Sequence, residues 1–139
     1  MSLFATSLRI RLAGLFALIL PLLSAAQPAG TLDPSFGNAG RFVQDFGFQD
    51  NLTHVAVQPL DQKVVTVGTA LTPAFAGQLL VIRLLPNGTP DSTFNGTGVI
   101  TVPDFTESYA YRVVVRDDGK ILVGGASCDP SYNFSFLVM

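Results

Sequence analysis

Cysteine is nearly absent from this chain. Cys128 is the only one, so no disulfide can form within it. Histidine is equally scarce. His54 stands alone, which excludes a multi-histidine metal site, and no carboxylates are spaced around it as companions of a general base. Charge is sparse: eight basic residues face ten acidic ones, and the basic residues form no patch. Nucleic acid is therefore not expected as a partner. The chain has no Gly-x-Ser-x-Gly, no His-Glu-x-x-His and no phosphate-cradling glycine loop. Beyond the N-terminal segment, no stretch sustains a capped 3.6-residue period, which argues against helices.

What the chain does have is a repeat. Asp33-Pro34-Ser35-Phe36-Gly37-Asn38-Ala39-Gly40 returns as Asp91-Ser92-Thr93-Phe94-Asn95-Gly96-Thr97-Gly98, 58 residues later (91 − 33). Val55-Ala56-Val57 returns as Val113-Val114-Val115 at the same shift. The shift becomes 57 (120 − 63) from Lys63 onward, where Lys63-Val64-Val65-Thr66-Val67-Gly68 matches Lys120-Ile121-Leu122-Val123-Gly124-Gly125. The slip falls in a turn, Pro59 to Gln62 against Asp117 to Gly119, where one residue more or less disturbs no packed face. Residues 33–90 read as one unit and 91–139 as a second, truncated at its C-terminus, with 27–32 as a short linker.

The first 26 residues differ in kind. Arg9 and Arg11 precede an apolar run from Leu12 to Leu23, and Ser24-Ala25-Ala26 follows. That order is the layout of a secretory signal peptide cut after Ala26. A spanning helix wants about 20 apolar residues; this run is shorter and contains Pro21. Cleavage would leave six basic and ten acidic residues, a net charge of −4. The expected location is secreted, periplasmic or at the cell surface, with no membrane attachment after cleavage.

Short runs rich in Val, Ile, Thr and Phe suit a pleated surface. Gly40 to Phe46 and Gly98 to Val102 are predicted as first strands, His54 to Gln58 and Arg112 to Arg116 as second. Lys63 to Gly68 and Lys120 to Gly124 are predicted as third, Leu79 to Leu85 and Phe136 to Met139 as fourth. Asp118-Gly119 and Pro86-Asn87-Gly88 are turn signals between them. The expected fold is all-β, in antiparallel four-stranded units. One such sheet buries little by itself. Stacking units as the blades of a β-propeller meets that need, with closure requiring at least four or so blades. Further repeats or other copies would then be required to close a ring.

These motifs resemble the delta-60 repeat, a family of secreted bacterial proteins. Leu32 to Gly40, Val57-Gln58-Pro59 with Lys63-Val64-Val65, Asp117 to Gly125 and Arg83 to Gly88 carry the resemblance, which covers residues 31–139. Departures fall in turns: Asn95 for Gly37, Pro90 for Leu32, and Leu60-Asp61-Gln62 for an Asp-Gly turn. The resemblance implies a propeller-like array. It brings no agreed activity and no catalytic residues.

Asp33 and Asp91, which open the repeated motif, are the weak candidates for a metal site. Each offers a carboxylate beside a hydroxyl, while calcium needs six to eight oxygens. A carboxylate closing a turn on backbone amides is the structural alternative and the preferred one. Lys63 and Lys120 read as solvated turn lysines, and Cys128, aligned with Leu71, as a small apolar side chain. Gly124-Gly125 reads as a strand end where chains approach closely. Asp45, Asp50 and Glu107 have no acidic counterpart in the other copy, and no partner for them is evident. No catalytic residue and no cofactor is expected. The function expected is a non-enzymatic binding or scaffolding module for a protein or carbohydrate ligand. The alternative is a propeller-type hydrolase whose catalytic residues lie in further repeats.

Overall fold

A computed structural model describes residues 28–102 and 106–139. The signal segment and its cut after Ala26 lie outside the described residues. The described chain is all-β, with seven strands: β1 Gln49–Val57, β2 Val64–Leu71, β3 Gly77–Leu84, β4 Val99–Val102, β5 Glu107–Val115, β6 Ile121–Cys128 and β7 Phe134–Val138. They form two antiparallel sheets, β1-β2-β3-β4 and β5-β6-β7.

The sheets are out of phase with the repeat. The first sheet takes three strands from the first unit and its fourth, β4, from the start of the second unit. Leu79 pairs with Val102, Leu80 with Thr101, Val81 with Ile100 and Ile82 with Val99. The expected first strand Gly40 to Phe46 does not form; Arg41 makes only an isolated bridge to Gly37. The physical reason is edge pairing. A strand exists by filling a neighbour's hydrogen bonds. Val99–Val102 meets the open edge of β3, whereas residues 41–46 meet no sheet edge among the described residues.

Strands also outrun their predicted ends at Gly68 and Gly124, running on to Leu71 and Cys128. Both units carry a bulge in the facing strand, opposite Gly68 and Gly125, after Leu52 in β1 and after Ala110 in β5. The bulge brings backbone in. A Cβ on Gly68 would lie 2.0 Å from the Asn51 carbonyl oxygen, and one on Gly125 1.9 Å from that of Tyr109. Each glycine therefore sits inside its strand rather than at its end, and the close approach is real at Gly125. Gly124 is open to within 4 Å.

Alternation divides the first sheet into two apolar faces. Val65, Val67, Leu79 and Val81 face the second sheet and meet Ala110, Val113 and Val123 in one buried cluster. Leu80, Ile82 and Leu84 point the other way and are covered by Phe36, Phe42 and Phe46. Polar links join the sheets as well: the Thr53 hydroxyl donates to the Ala110 carbonyl at 2.7 Å, and the Leu79 amide to the Ser108 hydroxyl at 2.8 Å. His54 and Arg112, equivalent positions in the two units, meet across the sheets at 3.4 Å.

Candidate functional site

The densest polar cluster is built around Asp91. The residue is 1% exposed, in the turn between β3 and β4. Its Oδ1 accepts from the Thr93 amide at 3.0 Å and the Thr93 hydroxyl at 2.7 Å. Two cations share its Oδ2: Arg83 Nε at 2.8 Å, from β3, and Lys63 Nζ at 3.1 Å, from the turn that opens β2. Arg83 also donates to the Thr93 hydroxyl at 3.1 Å and lays its guanidinium 4.5 Å from the centre of the Phe94 ring. Lys63 reaches Asp61 at 3.2 Å. The Thr93 hydroxyl, then Lys63, the Thr93 amide and the Arg83 charge outweigh burial and hold the Asp91 carboxyl well below the usual carboxylate range. The Asp91 and Asp61 carboxylates raise the Lys63 ammonium.

Asp33 makes the same local turn without the cations. Its Oδ1 accepts from the Ser35 amide at 2.9 Å and the Ser35 hydroxyl at 2.7 Å, and the residue is exposed. Those two bonds hold its carboxyl below the ordinary value. No ion pair reaches it among the described residues. The difference follows from register. Asp91 sits beside Lys63 and Arg83 of the first unit, whereas no lysine or arginine stands beside Asp33 among the described residues.

Lys63 is thus not the solvated turn lysine its position predicts, for the same reason. Lys120 does match that expectation, with a side chain 71% exposed and a 3.5 Å contact to Asp118. Sequence reasoning missed Lys63 and Arg83 as partners of Asp91. Periodicity carries no signal for a pair formed between a strand start and a later turn.

The unmatched acidic residues acquire partners. Asp45 accepts from the Gly47 amide and Asp50 from the Phe46 amide, both at 2.8 Å, fixing the chain where it enters β1. Glu107 accepts from the Tyr109 hydroxyl at 2.5 Å. That bond, with burial, pushes the phenol up to about 12. Cys128 is fully buried, its Sγ 3.4 Å from the Asp129 carbonyl oxygen. Burial pushes the thiol up, so it stays protonated at neutral pH. No group of three or more His, Cys, Asp or Glu side chains is placed to hold a metal ion among the described residues.

A shallow cleft of about 210 Å³ lies between the sheets, where β1 meets β5. Tyr109 and Tyr111 line it with Gln49, Asn51 and Thr69. Tyr111 is 54% exposed. Aromatic rings beside amides and a hydroxyl form a surface that can stack on a ligand and hydrogen-bond it.

Over residues 61–94 the chain matches the family model described as "Domain of unknown function (DUF5122) beta-propeller". The matched segment holds β2, β3 and all of Lys63, Arg83, Asp91 and Phe94. Neither the curated proteins nor the solved structures contain a match. The two sheets are β-propeller-like blades, and in that matched segment the chain is similar to a β-propeller repeat family.

Proposed function

We propose that this protein is a secreted, non-enzymatic repeat module of the delta-60 type that binds a protein or carbohydrate ligand through the cleft between its blades. The observation that carries the reading is where the polar side chains go. The motif aspartates close turns, Asp45 and Asp50 hold backbone amides, and Glu107 holds Tyr109. These groups serve the architecture. The Tyr109–Tyr111 cleft instead offers exposed aromatic surface with amides at its rim. Fold alone does not set function, and the reading rests on this surface.

The chain has three tyrosines and no tryptophan, and two of the three, Tyr109 and Tyr111, line the cleft, so with Tyr132→Phe tyrosine emission reports on it. Titration with soluble cell-wall oligosaccharides or peptides should change that emission saturably. Tyr111→Ala should abolish the change while leaving the β-sheet circular dichroism intact. An unchanged titration curve in Tyr111→Ala would refute the cleft. For secretion, expression of the chain in a bacterial host should yield extracytoplasmic protein whose first residue is Gln27. Protein retaining Met1 would argue against it.

A further inference from the structure

The repeat breaks where the two sheets meet. Asp33 and Phe36 return as Asp91 and Phe94, which close turns and cover apolar clusters in both units. Gln49, Asn51 and Thr53 of β1 do not return. At the shift of 58 (107 − 49) the same places hold Glu107, Tyr109 and Tyr111 of β5. The fold therefore leaves the residue type at these places open. It sets Tyr109 and Tyr111 across a cleft from Gln49, Asn51 and Thr53. Contacts within the chain hold the walls. Thr53 bonds the Ala110 carbonyl. The Tyr109 ring packs on Gly77, where an added Cβ would lie 2.8 Å from its Cε1, and its hydroxyl is held by Glu107. Tyr109 is a fixed wall, and the exposed Tyr111 ring is the open one.

Thr69 gives an independent sign of a ligand. The residue is 8% exposed, yet its hydroxyl has no hydrogen-bond partner among the described residues. Thr53 and Thr66, on the same two strands, give their hydroxyls to backbone carbonyls. Buried polar groups are normally paired. Thr69 instead lines the cleft, opposite Asn51 in the β1–β2 ladder. The exposed side-chain amides of Gln49 and Asn51 also make no bond among the described residues.

We infer that the cleft binds one ring of a neutral saccharide, which depends on the Tyr109–Tyr111 cleft being the binding surface. No residue lining it is charged. An acidic sugar or a charged peptide group would find no counter-ion there. A pyranose has an apolar C–H face and a rim of hydroxyls. The Tyr111 ring supplies a flat apolar surface for that face. Side-chain amides and the Thr69 hydroxyl both donate and accept, as sugar hydroxyls do. At about 210 Å³ the cleft falls short of the roughly 300–1,000 Å³ that encloses a drug-sized ligand. It therefore takes a single ring of a longer chain.

The test titrates the full chain carrying Tyr132→Phe and follows tyrosine emission. The neutral probes are cellotetraose, maltotetraose and N-acetylated chitotetraose; tetragalacturonate is the acidic probe and tetra-alanine the peptide. At least one neutral probe should give a saturable change, with binding at least about tenfold tighter than either of the other two. Thr69→Val keeps the shape and removes the hydroxyl. It should weaken that binding about 3- to 10-fold without lowering the thermal midpoint, because the hydroxyl makes no bond in the fold. Parent-like binding in Thr69→Val, or tetragalacturonate or tetra-alanine binding as tightly as the best neutral probe, overturns the saccharide assignment and leaves the cleft standing. A saturable change that survives Tyr111→Ala, or no saturable change with any probe, removes the cleft and the assignment with it.

Discussion

Lys63 closes on Asp91 at 3.1 Å, so a side chain at the head of β2 holds the aspartate that opens the next repeat. Arg83 reaches the same oxygen from β3. The pair ties the turn before β4 to the body of the first sheet. It therefore helps place β4 on the β3 edge.

Asp91→Asn should lower the thermal midpoint, because it leaves Lys63 and Arg83 facing a neutral amide in a buried position. Asp33→Asn, at the exposed copy of the same motif, should leave the midpoint nearly unchanged. The two variants also separate by pH. The folded carboxyl of Asp91 lies below its unfolded value of about 3.9, so its contribution is complete above that value and is lost as pH falls through the folded pKa. Lys63 is raised instead, so its contribution is complete below its unfolded value and is lost as pH rises through the folded one. Acid unfolding followed by circular dichroism should be less pH-dependent below about pH 4 in Asp91→Asn than in the parent.

Gly125→Ala and Gly68→Ala should each destabilise the protein by about 2–4 kcal/mol, since the added methyl meets backbone carbonyl oxygen at 1.9 and 2.0 Å. Gly124→Ala, one residue away and open, should be neutral or stabilising by up to about 1 kcal/mol. Urea denaturation of the three variants checks the contrast. Equal losses at Gly124 and Gly125 would contradict the bulge geometry.

Gln62 and Gly119 occupy the same turn position in the two units, at φ 58° and 79°. Only glycine adopts that conformation without steric cost. Gln62→Gly should stabilise by about 0.5–1 kcal/mol, and Gly119→Ala should destabilise by about 1–2 kcal/mol. Denaturant midpoints with unchanged slopes would show both effects.

Cys128 should resist thiol reagents in the native protein and react fully once the chain unfolds, because it is completely buried and its thiol pKa is raised. Stopped labelling with a chromogenic disulfide reagent, with and without denaturant, reads this directly. Fast labelling of native protein would place Cys128 at the surface.

Much of the fold was legible in the residues. Val64 to Val67 and Leu79 to Ile82 carry the composition and alternation of buried strands, and Asp118-Gly119 marks its turn without ambiguity. Strand ends were less legible. A glycine within a strand looks like an end until the facing bulge is seen. The Asp91 cluster was half legible: its motif recurs, but the cations that clamp it lie in β3 and at the head of β2, at no fixed period.

The residues by themselves determined the strand-and-turn pattern, the two equivalent units and the turn aspartates, because those depend on local alternation, backbone freedom and short-range hydrogen bonds. Tertiary structure alone decided which segment belongs to which sheet. Gly40 to Phe46 and Gly98 to Val102 hold equivalent places in the two units, yet only the latter contains a strand, since a ladder needs a neighbouring edge and β3 provides one. It also decided that Asp91 is buried between two cations while Asp33 stays on the surface, because Lys63 and Arg83 of the first sheet reach the Asp91 turn and no cation reaches Asp33 among the described residues.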